Sequence, residues 1–442
     1  MTQSNLTFTE GHEIPEGCKN TELGIFPEPW KLMTIQEALD TKYLLDQMDG
    51  NHGELYPRSN EFSQSGIAYI GATDFSDNKV DFKNCKFLPL IRAKKFRKGI
   101  AKSGDVLFAH NATVGPAALL KTDDEFVILS TTATYYRCND KHLSNQYLLS
   151  FFESNAFKQQ YTAVMSQSTR NQVSILAQRK FKLVLPSREE QEKIATALSD
   201  TDALISELEK LIEKKQAIKT ATMQQLLTGK TRLPEFALRE DGTPKGYKDS
   251  ELGQIPEDWE ALSFSEVCTF INGRAYGLHE WEKRGTPVIR LQNLTGRGED
   301  YYYSTLNLPA KHYCDYGDLL FMWSATFGPV IWKGQKAIYH YHIWKIVCNE
   351  NVDKDFLYLT LDDMTENLKR GSSSGGTMLH VTKEIMEATL AIFPPYSEQL
   401  KIASVLNGMI QEIEALTEKL TKLKNIKQGM MQELITGKTR LV

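Results

Sequence analysis

Two triplets, Gly229-Lys230-Thr231 and Gly437-Lys438-Thr439, carry the residue types that close a phosphate-binding loop, and Phe393-Pro394-Pro395-Tyr396 carries the end of an Asn/Asp-Pro-Pro-Tyr loop that holds a target amine for methyl transfer. Neither has the neighbours its chemistry needs. The glycine that should stand five positions before Gly229 and Gly437 is replaced by Gln224 and Gln432, and both triplets follow helical patterns where a phosphate loop precedes one. Phe393 takes the place of the polar residue that would grip the amine, and no glycine-rich cofactor loop accompanies it. The sequence also lacks a helical His-Glu-x-x-His, a Gly-x-Ser-x-Gly and an acidic nuclease cluster. The chain is expected to recognise and not to catalyse.

Recognition has better material. Bases in the major groove are read by short side chains that pair donors with acceptors, and Asn, Gln, Arg and Thr supply them. Such residues fall in loops at matching places of two halves: Thr73 and Asp74 against Gln292 and Asn293, and His110, Asn111 and Thr113 against Trp323, Ser324 and Thr326. A third pair of loops sets Arg170, Asn171 and Gln172 against a segment ending in His380. Arg274 and Arg290 add forked donors, and Lys94, Lys95 and Arg97 form a basic cluster suited to phosphates. Turn chemistry explains any one of these loops, and a lone charge run is a solvated face. Paired loops with different side chains tilt the reading towards function. Tyr301-Tyr302-Tyr303 and His340-Tyr341-His342 could stack or bind metal, although alternation along a half-buried strand explains the latter equally well.

The matching places come from an internal repeat. Glu190-Gln191, Lys193-Ile194-Ala195 and Leu198 return as Glu398-Gln399, Lys401-Ile402-Ala403 and Leu406, and Thr228 to Leu233 returns as Thr436 to Leu441, all at an offset of 398 − 190 = 441 − 233 = 208. Glu22-Leu23-Gly24, Pro27-Glu28 and Trp30 return as Glu251-Leu252-Gly253, Pro256-Glu257 and Trp259 at 251 − 22 = 229. Between these blocks the first half is therefore 229 − 208 = 21 residues longer. Inside it only islands match, chiefly Gly104 to Phe108 against Gly317 to Phe321. Two similar halves related by a pseudo-two-fold axis are expected, with one scaffold carrying two different interiors.

Arg188 to Leu227 contains neither proline nor glycine, and Ser187 before Glu189 and Glu190 reads as an N-cap with acidic residues in the first turn. Apolar residues at Ile194, Leu198, Ile205, Leu208 and Ile212, and more cleanly at Ile402, Leu406, Met409, Ile413, Leu416, Leu420 and Leu423, step by fours and threes. That is a heptad seam on each of two helices of about 40 residues, or about 60 Å. They are expected to pack as an antiparallel coiled coil holding the two globular units apart. The interiors read as α/β with β-rich cores, with strands at Ile67 to Ile70, Asp105 to Phe108, Phe126 to Leu129, Pro287 to Leu291 and His342 to Val347, and short helices at Tyr147 to Phe152 and Phe356 to Leu361. The expected organisation is an N-terminal segment 1–30, a first interior 31–185, a central helix 186–232, a linker 233–259, a second interior 260–393 and a C-terminal helix 394–442.

The chain has 442 residues, enough for two or three domains, and a net charge of −4, which argues against indiscriminate coating of nucleic acid. No run of about 18 apolar residues and no signal pattern is present, so a cytoplasmic protein with no membrane association is expected. The six scattered cysteines indicate neither disulfides nor zinc.

The repeated Leu-Gly-x-x-Pro-x-x-Trp (Leu23 to Trp30, Leu252 to Trp259), the Gly-Asp-Val/Leu-Leu-Phe islands and the Pro-x-x-x-Glu-Gln-x-x-Ile helix starts (Pro186 to Ile194, Pro394 to Ile402) make the sequence resemble the DNA specificity subunit of type I restriction-modification systems over its whole length. The resemblance implies two target recognition domains, each reading one half of a split, asymmetric double-stranded DNA target, and two spacer helices that set the gap. It implies no activity and no cofactor in this chain. S-adenosylmethionine, ATP and magnesium would belong to its partners, two methylating subunits and the motor-nuclease subunits. Docking is expected on the kept segments, at Leu23, Gly24, Trp30, Leu252, Gly253, Trp259, Gln191 and Gln399. Alternatives are a specificity subunit serving a fused methylase-nuclease, and a coiled-coil scaffold that binds proteins.

Overall fold

The computed structural model describes residues 14–441 except 52, 168–170, 299, 325 and 373–381. It divides into two compact units that do not follow chain order: one takes in the residues up to Glu209 together with those from Glu418 onward, the other is Lys210–Thr417.

Each unit is built to the same plan. A hairpin comes first, Cys18–Thr21 with Gly24–Pro27 in one and Tyr247–Ser250 with Gly253–Pro256 in the other. A two-stranded neck follows. Lys31–Thr34 pairs antiparallel with Lys182–Leu185, and Glu260–Ser263 with Leu390–Phe393, so the residues between leave and return at one place.

The first excursion contains β1 (Leu44–Asp49), β2 (Ile67–Ile70), β3 (Val106–Asn111), β4 (Thr113–Leu119), β5 (Val127–Leu129) and β6 (Ala133–Cys138). Strands β1-β6-β3-β4 form an antiparallel sheet, while β2 and β5 run parallel in the middle of a second. The other excursion repeats this with β7 (Cys268–Asn272), β8 (Thr286–Ile289), β9 (Leu319–Ser324), β10 (Thr326–Ile331), β11 (Ala337–Tyr339) and β12 (Ile343–Cys348), in the order β7-β12-β9-β10 with β8 and β11 parallel. Two small strands, Phe75–Ser76 and Lys79–Val80, extend only the first unit's sheet and take up part of its extra length. The parallel strands are apolar on both faces, with all of β5 and β11 buried, as covered strands must be. The expected helices are present as Asn145–Glu153 and Lys354–Ser372. Two strand expectations need correcting. Leu291 begins a helical turn, Leu291–Leu294, because Asn293 Oδ1 accepts the Arg290 N–H at 2.9 Å. His340-Tyr341-His342 is the turn between β11 and β12, where His340 closes a bond to the end of β8 (His340 N–H to Ile289 O, 2.9 Å).

The long helices are α1 (Arg188–Leu226) and α2 (Tyr396–Ile435). In the first unit the start of α1 lies beside the end of α2: Lys427 pairs with Asp202 and Lys424 with Glu209, each at 2.7 Å. In the second unit the other halves meet, with Lys215 on Glu412 at 2.8 Å. Numbers climb on one helix as they fall on the other, which makes the coil antiparallel. The seam of α1 continues through Thr201, whose hydroxyl donates to Met430 Sδ at 3.7 Å, and Lys215. Cys85, Cys138, Cys268 and Cys314 are buried, Cys18 and Cys348 half-buried, and all six are free thiols.

One buried constellation joins hairpin, neck and both helices in each unit. Glu190, with no exposed surface, accepts the Trp30 indole N–H at 3.0 Å and a forked contact from Arg440, whose Nη2 lies at 2.8 Å. Glu398 likewise accepts from Trp259 at 3.0 Å and from Arg232 at 2.6 and 2.8 Å. Each guanidinium also lies over its indole, 5.7 and 5.5 Å from the ring. Gly437 and Gly229 make the approach possible: both have positive φ (+70° and +67°), and a Cβ would stand 2.5 Å from Pro27 and from Pro256. These arginines and glycines are the Thr-Gly-Lys-Thr-Arg repeat that resembled a phosphate loop.

Arg440→Ala and Arg232→Ala each strand a buried carboxylate and are expected to lower stability by about 3–5 kcal/mol. Adding Glu190→Gln to Arg440→Ala should return part of that loss, because a neutral amide needs less compensation. Urea unfolding measures both, and a wild-type midpoint for Arg440→Ala would refute the role given to this carboxylate.

Candidate nucleic-acid interface

The hairpin joining β3 to β4 carries Asn111 and Thr113 as a register pair across its tip, and the one joining β9 to β10 carries Ser324 and Thr326 in the same relation. Ala112, at the first tip, has positive φ (64°). In the first unit Asn171 and Gln172 lie against this tip: Ala112 N–H donates to Asn171 O at 3.1 Å, Gln172 bridges Asn111, and Val173 N–H donates to His110 O at 2.8 Å. His110 itself is buried, with Nδ1 2.9 Å from the Thr134 hydroxyl. The structure thus assembles Asn111, Thr113, Asn171 and Gln172 into one polar rim, and uses His110 beneath it. Arg170 and His380 lie outside the described residues.

Sequence reasoning missed what supports the rim. Gln178, fully buried, accepts from the Tyr136 hydroxyl at 2.6 Å, and its amide donates to Val173 O at 2.9 Å. Gln47 stands 3.4 Å from it and accepts from Arg179 at 3.3 Å. A buried amide network on an otherwise apolar wall leaves no periodic trace in a sequence.

Thr73 is exposed, but Asp74 is spent internally: it accepts the Gly71 N–H at 2.7 Å, and burial pushes its carboxyl above the ordinary value. Asn293 holds the same place in the second unit. Gln292, half-buried beside it, has its side chain against Gly298. Lys94, Lys95 and Arg97 stand exposed on the surface of the first unit.

The second unit carries a different surface. Arg290 leaves the end of β8, and its guanidinium stands 4.2 Å from the Tyr302 ring and 5.6 Å from Trp281. Trp281 stacks on Tyr276 (5.0 Å) and on His340 (5.9 Å). Arg274, which bridges His340, covers Tyr276 at 4.3 Å and pairs with Glu280. The aromatic surface runs on through Tyr341 and His342 to Trp323, whose indole N–H donates to Tyr341 O at 2.8 Å. Of the expected residues, Arg274, Arg290 and Trp323 are thereby brought together, with half-buried Thr326 at the adjoining tip and Ser324 buried beside it. Tyr276 and Trp281 were not singled out in the sequence, although aromatics bracketing Arg274 and Arg290 were the available signal. Burial, with help from His342 and Arg290, pushes His340 down from an ordinary 6.5 to about 4.

Among the expected docking residues, Trp30, Trp259, Gln191 and Gln399 are buried and fully engaged. The Gln191 side chain holds Ser144 N–H and the carbonyls of His142 and Pro186, and Gln399 holds Asp353 N–H and the carbonyls of Asn351 and Pro394. They tie each helix start to its own excursion and offer a partner no surface. Leu23 and Gly24 are half-buried, Leu252 and Gly253 exposed.

Two excursions of one topology, each on a neck beside a long helix, match a single family. The description of a type I restriction modification DNA specificity domain fits this chain twice, over residues 28–220 and 256–425. The chain belongs to the type I restriction-modification DNA specificity family. It is 27% identical to the MjaX specificity subunit of Methanocaldococcus jannaschii over 438 residues, spanning 96% of this chain and 97% of the relative. The MjaVIII specificity subunit of the same organism is 26% identical over 338 residues (71% and 75%), and the Escherichia coli EcoBI specificity subunit 26% identical over 194 (42% and 40%). The fold is that of the type I restriction-modification S subunit from M. genitalium, at 13% identity, TM-score 0.54 and coverage of 92% and 96%. A chain from a study of complex assembly in a type I R-M system gives TM-score 0.54 at 18% identity, covering 94% and 99%. As a type I restriction-modification DNA specificity subunit, the chain is the recognition subunit and not the catalytic one, with two recognition domains for a bipartite target. No described helix is long and apolar enough to cross a membrane, and no described cluster of His, Cys, Asp or Glu would hold a metal.

His340 is neutral in the folded chain at pH values where an unfolded histidine is protonated. A depressed histidine stabilises the fold fully above 6.5, and that stability is lost as pH falls towards 4. The melting temperature of His340→Gln should therefore fall less between pH 6.5 and 4 than that of wild type. Parallel melting curves would contradict the burial assigned to this ring.

Proposed function

We propose that the two domains read their halves of the target through the rims described above: Asn111, Thr113, Asn171 and Gln172 in the first, and Arg274, Arg290, Trp323 and Thr326 in the second, with Ser324 beneath the second as His110 is beneath the first. The observation that carries this reading is positional. Both rims grow from the same hairpin and the same sheet ends, yet their side chains differ in kind, as readers of two different sequences require. Lys94, Lys95 and Arg97 are exposed and would add phosphate contacts that position without specifying.

The helices carry the partners and set the gap. Met409, Ile413, Leu416, Leu420 and Leu423 of the α2 seam are only half-buried in a two-helix coil. Leu204, Leu211 and Ile218, spaced by heptads on α1, are exposed at 55%, 40% and 42%. Apolar helix surface of this extent favours further helices packing on it, and two kept lead-ins favour two methylating subunits, with the motor-nuclease subunits joining that core. S-adenosylmethionine and ATP chemistry would stay in those partners.

The test is to co-express the chain with its methylating subunit and map methylated adenines on DNA free of other methylases. A split, asymmetric motif with a fixed gap is expected. Inserting one heptad at Lys214-Lys215 should lengthen the gap and leave both half-sequences alone. A heptad insertion that changed a half-sequence would overturn the division between reading domains and ruler.

A further inference from the structure

The two domains differ most sharply where the parallel strands end. In the first, β2 runs into Gly71 and β5 into Ser130 and Thr132, whose hydroxyls bond each other at 2.7 Å while Thr132 accepts the Ala72 N–H at 2.9 Å. In the second, β8 runs into Arg290 and β11 into His340 and His342. A small, internally satisfied hydroxyl pair has been exchanged for a cation among rings.

Arg290 differs from Arg232, Arg239 and Arg274 of its unit in having no committed partner among the described residues, and from Arg284 and Arg297 in being half-buried where those two are exposed. Arg232 is committed to Glu398 and Asp258, Arg239 to Glu257, and Arg274 to Glu280. The Arg290 guanidinium makes ring contacts with Tyr302 and Trp281 and no hydrogen bond or ion pair among the described residues. Its Nε is buried without a partner, so the stem is fixed, while the group as a whole stays half-exposed. A guanidinium held flat by aromatics has lost most of its rotamer freedom in advance, and its remaining N–H donors are unspent. That is the state a forked donor needs to meet two acceptors on one rigid edge. Guanine presents such an edge in the major groove, O6 beside N7. Phosphate also accepts a fork, but phosphate contact needs no fixed orientation, and exposed Lys and Arg serve it more simply.

We propose that Arg290 is a specificity-determining residue of the second domain and reads guanine, so that one half of the split target contains an invariant G·C pair. The assignment rests on the DNA-reading function proposed above. Trp281 and Tyr302 are positioning residues that hold the fork and are not expected to touch the base.

The experiment uses the assembled methylating complex and maps its motif with wild type, Arg290→Gln and Arg290→Lys. Wild type is expected to show an invariant G·C pair in one half. In Arg290→Gln, methylation of those sites should fall by about 10–100-fold, the loss of one forked contact, and the requirement for that pair should relax. Arg290→Lys keeps the charge without the fork and should relax it too, so one variant that folds poorly leaves the other informative. The half read by the first domain must stay unchanged in both, which serves as the control for folding and assembly. A wild-type complex with no split motif overturns the underlying function and this assignment with it. A split motif without an invariant G·C pair, or one whose G·C preference survives both variants, overturns the assignment alone. A uniform loss of affinity at every site, with a shallower salt dependence and the motif intact, would make Arg290 a phosphate contact and also overturn it.

Discussion

A carboxylate with no exposed surface, placed twice, is what the rest of this molecule depends on. Burying a charge costs several kcal/mol, and the cost is offset only when the geometry around it is complete. Glu190 and Glu398 complete it with an indole N–H from the lead-in segment and a guanidinium from the tail of a helix, the guanidinium lying over that same indole. Remove the guanidinium and the carboxylate keeps only the indole N–H in a setting with no exposed surface. The arrangement thereby locks a hairpin, the start of one helix and the end of the other into a single unit, and Gln191 and Gln399 fasten the excursion to it. It also explains why these residues, and not the recognition loops, are what the two halves keep.

With the junction fixed, the excursions are free to change. The order of the strands they share is identical, because the parallel pair and the antiparallel sheet are set by apolar residues at alternating and buried positions. The residues one step beyond the strands carry no such duty. Gly71, Ser130 and Thr132 in one domain and Arg290, His340 and His342 in the other stand at the same points of the same sheet and offer different chemistry. A polar surface that satisfies itself and a cation left unsatisfied by its own protein are two ways of furnishing one frame.

The sequence showed most of the frame. The heptads of α1 and α2 and the strands Ile67–Ile70 and Val127–Leu129 were legible because each follows a period that burial imposes, whereas the pairing of the neck strands was not. The register of the repeat placed matching loops at Asn111 and Ser324, which the structure makes the last residues of β3 and β9. What was not legible depended on distance in space. Glu190 and Arg440 are 250 residues apart, and nothing in either local pattern says that one needs the other. For the same reason Trp30, Trp259, Gln191 and Gln399 read as an outward surface, when their repetition reflects a shared interior. His340 and His342 looked like strand residues because a tight turn between two strands breaks the alternation for only three positions.

The division of the chain into units has a consequence in time. The second unit, Lys210–Thr417, is contiguous, so everything its core requires has left the ribosome once Thr417 has emerged. The first unit draws on both ends of the sequence: Leu434 and Ile435 belong to its core, and Arg440 closes its buried carboxylate. The domain made first is therefore finished last. Until the segment from Glu418 to Arg440 has followed the second unit, the first lacks Leu434 and Ile435 from its core and Glu190 is without its cation, so the first unit can close only after the second has been made.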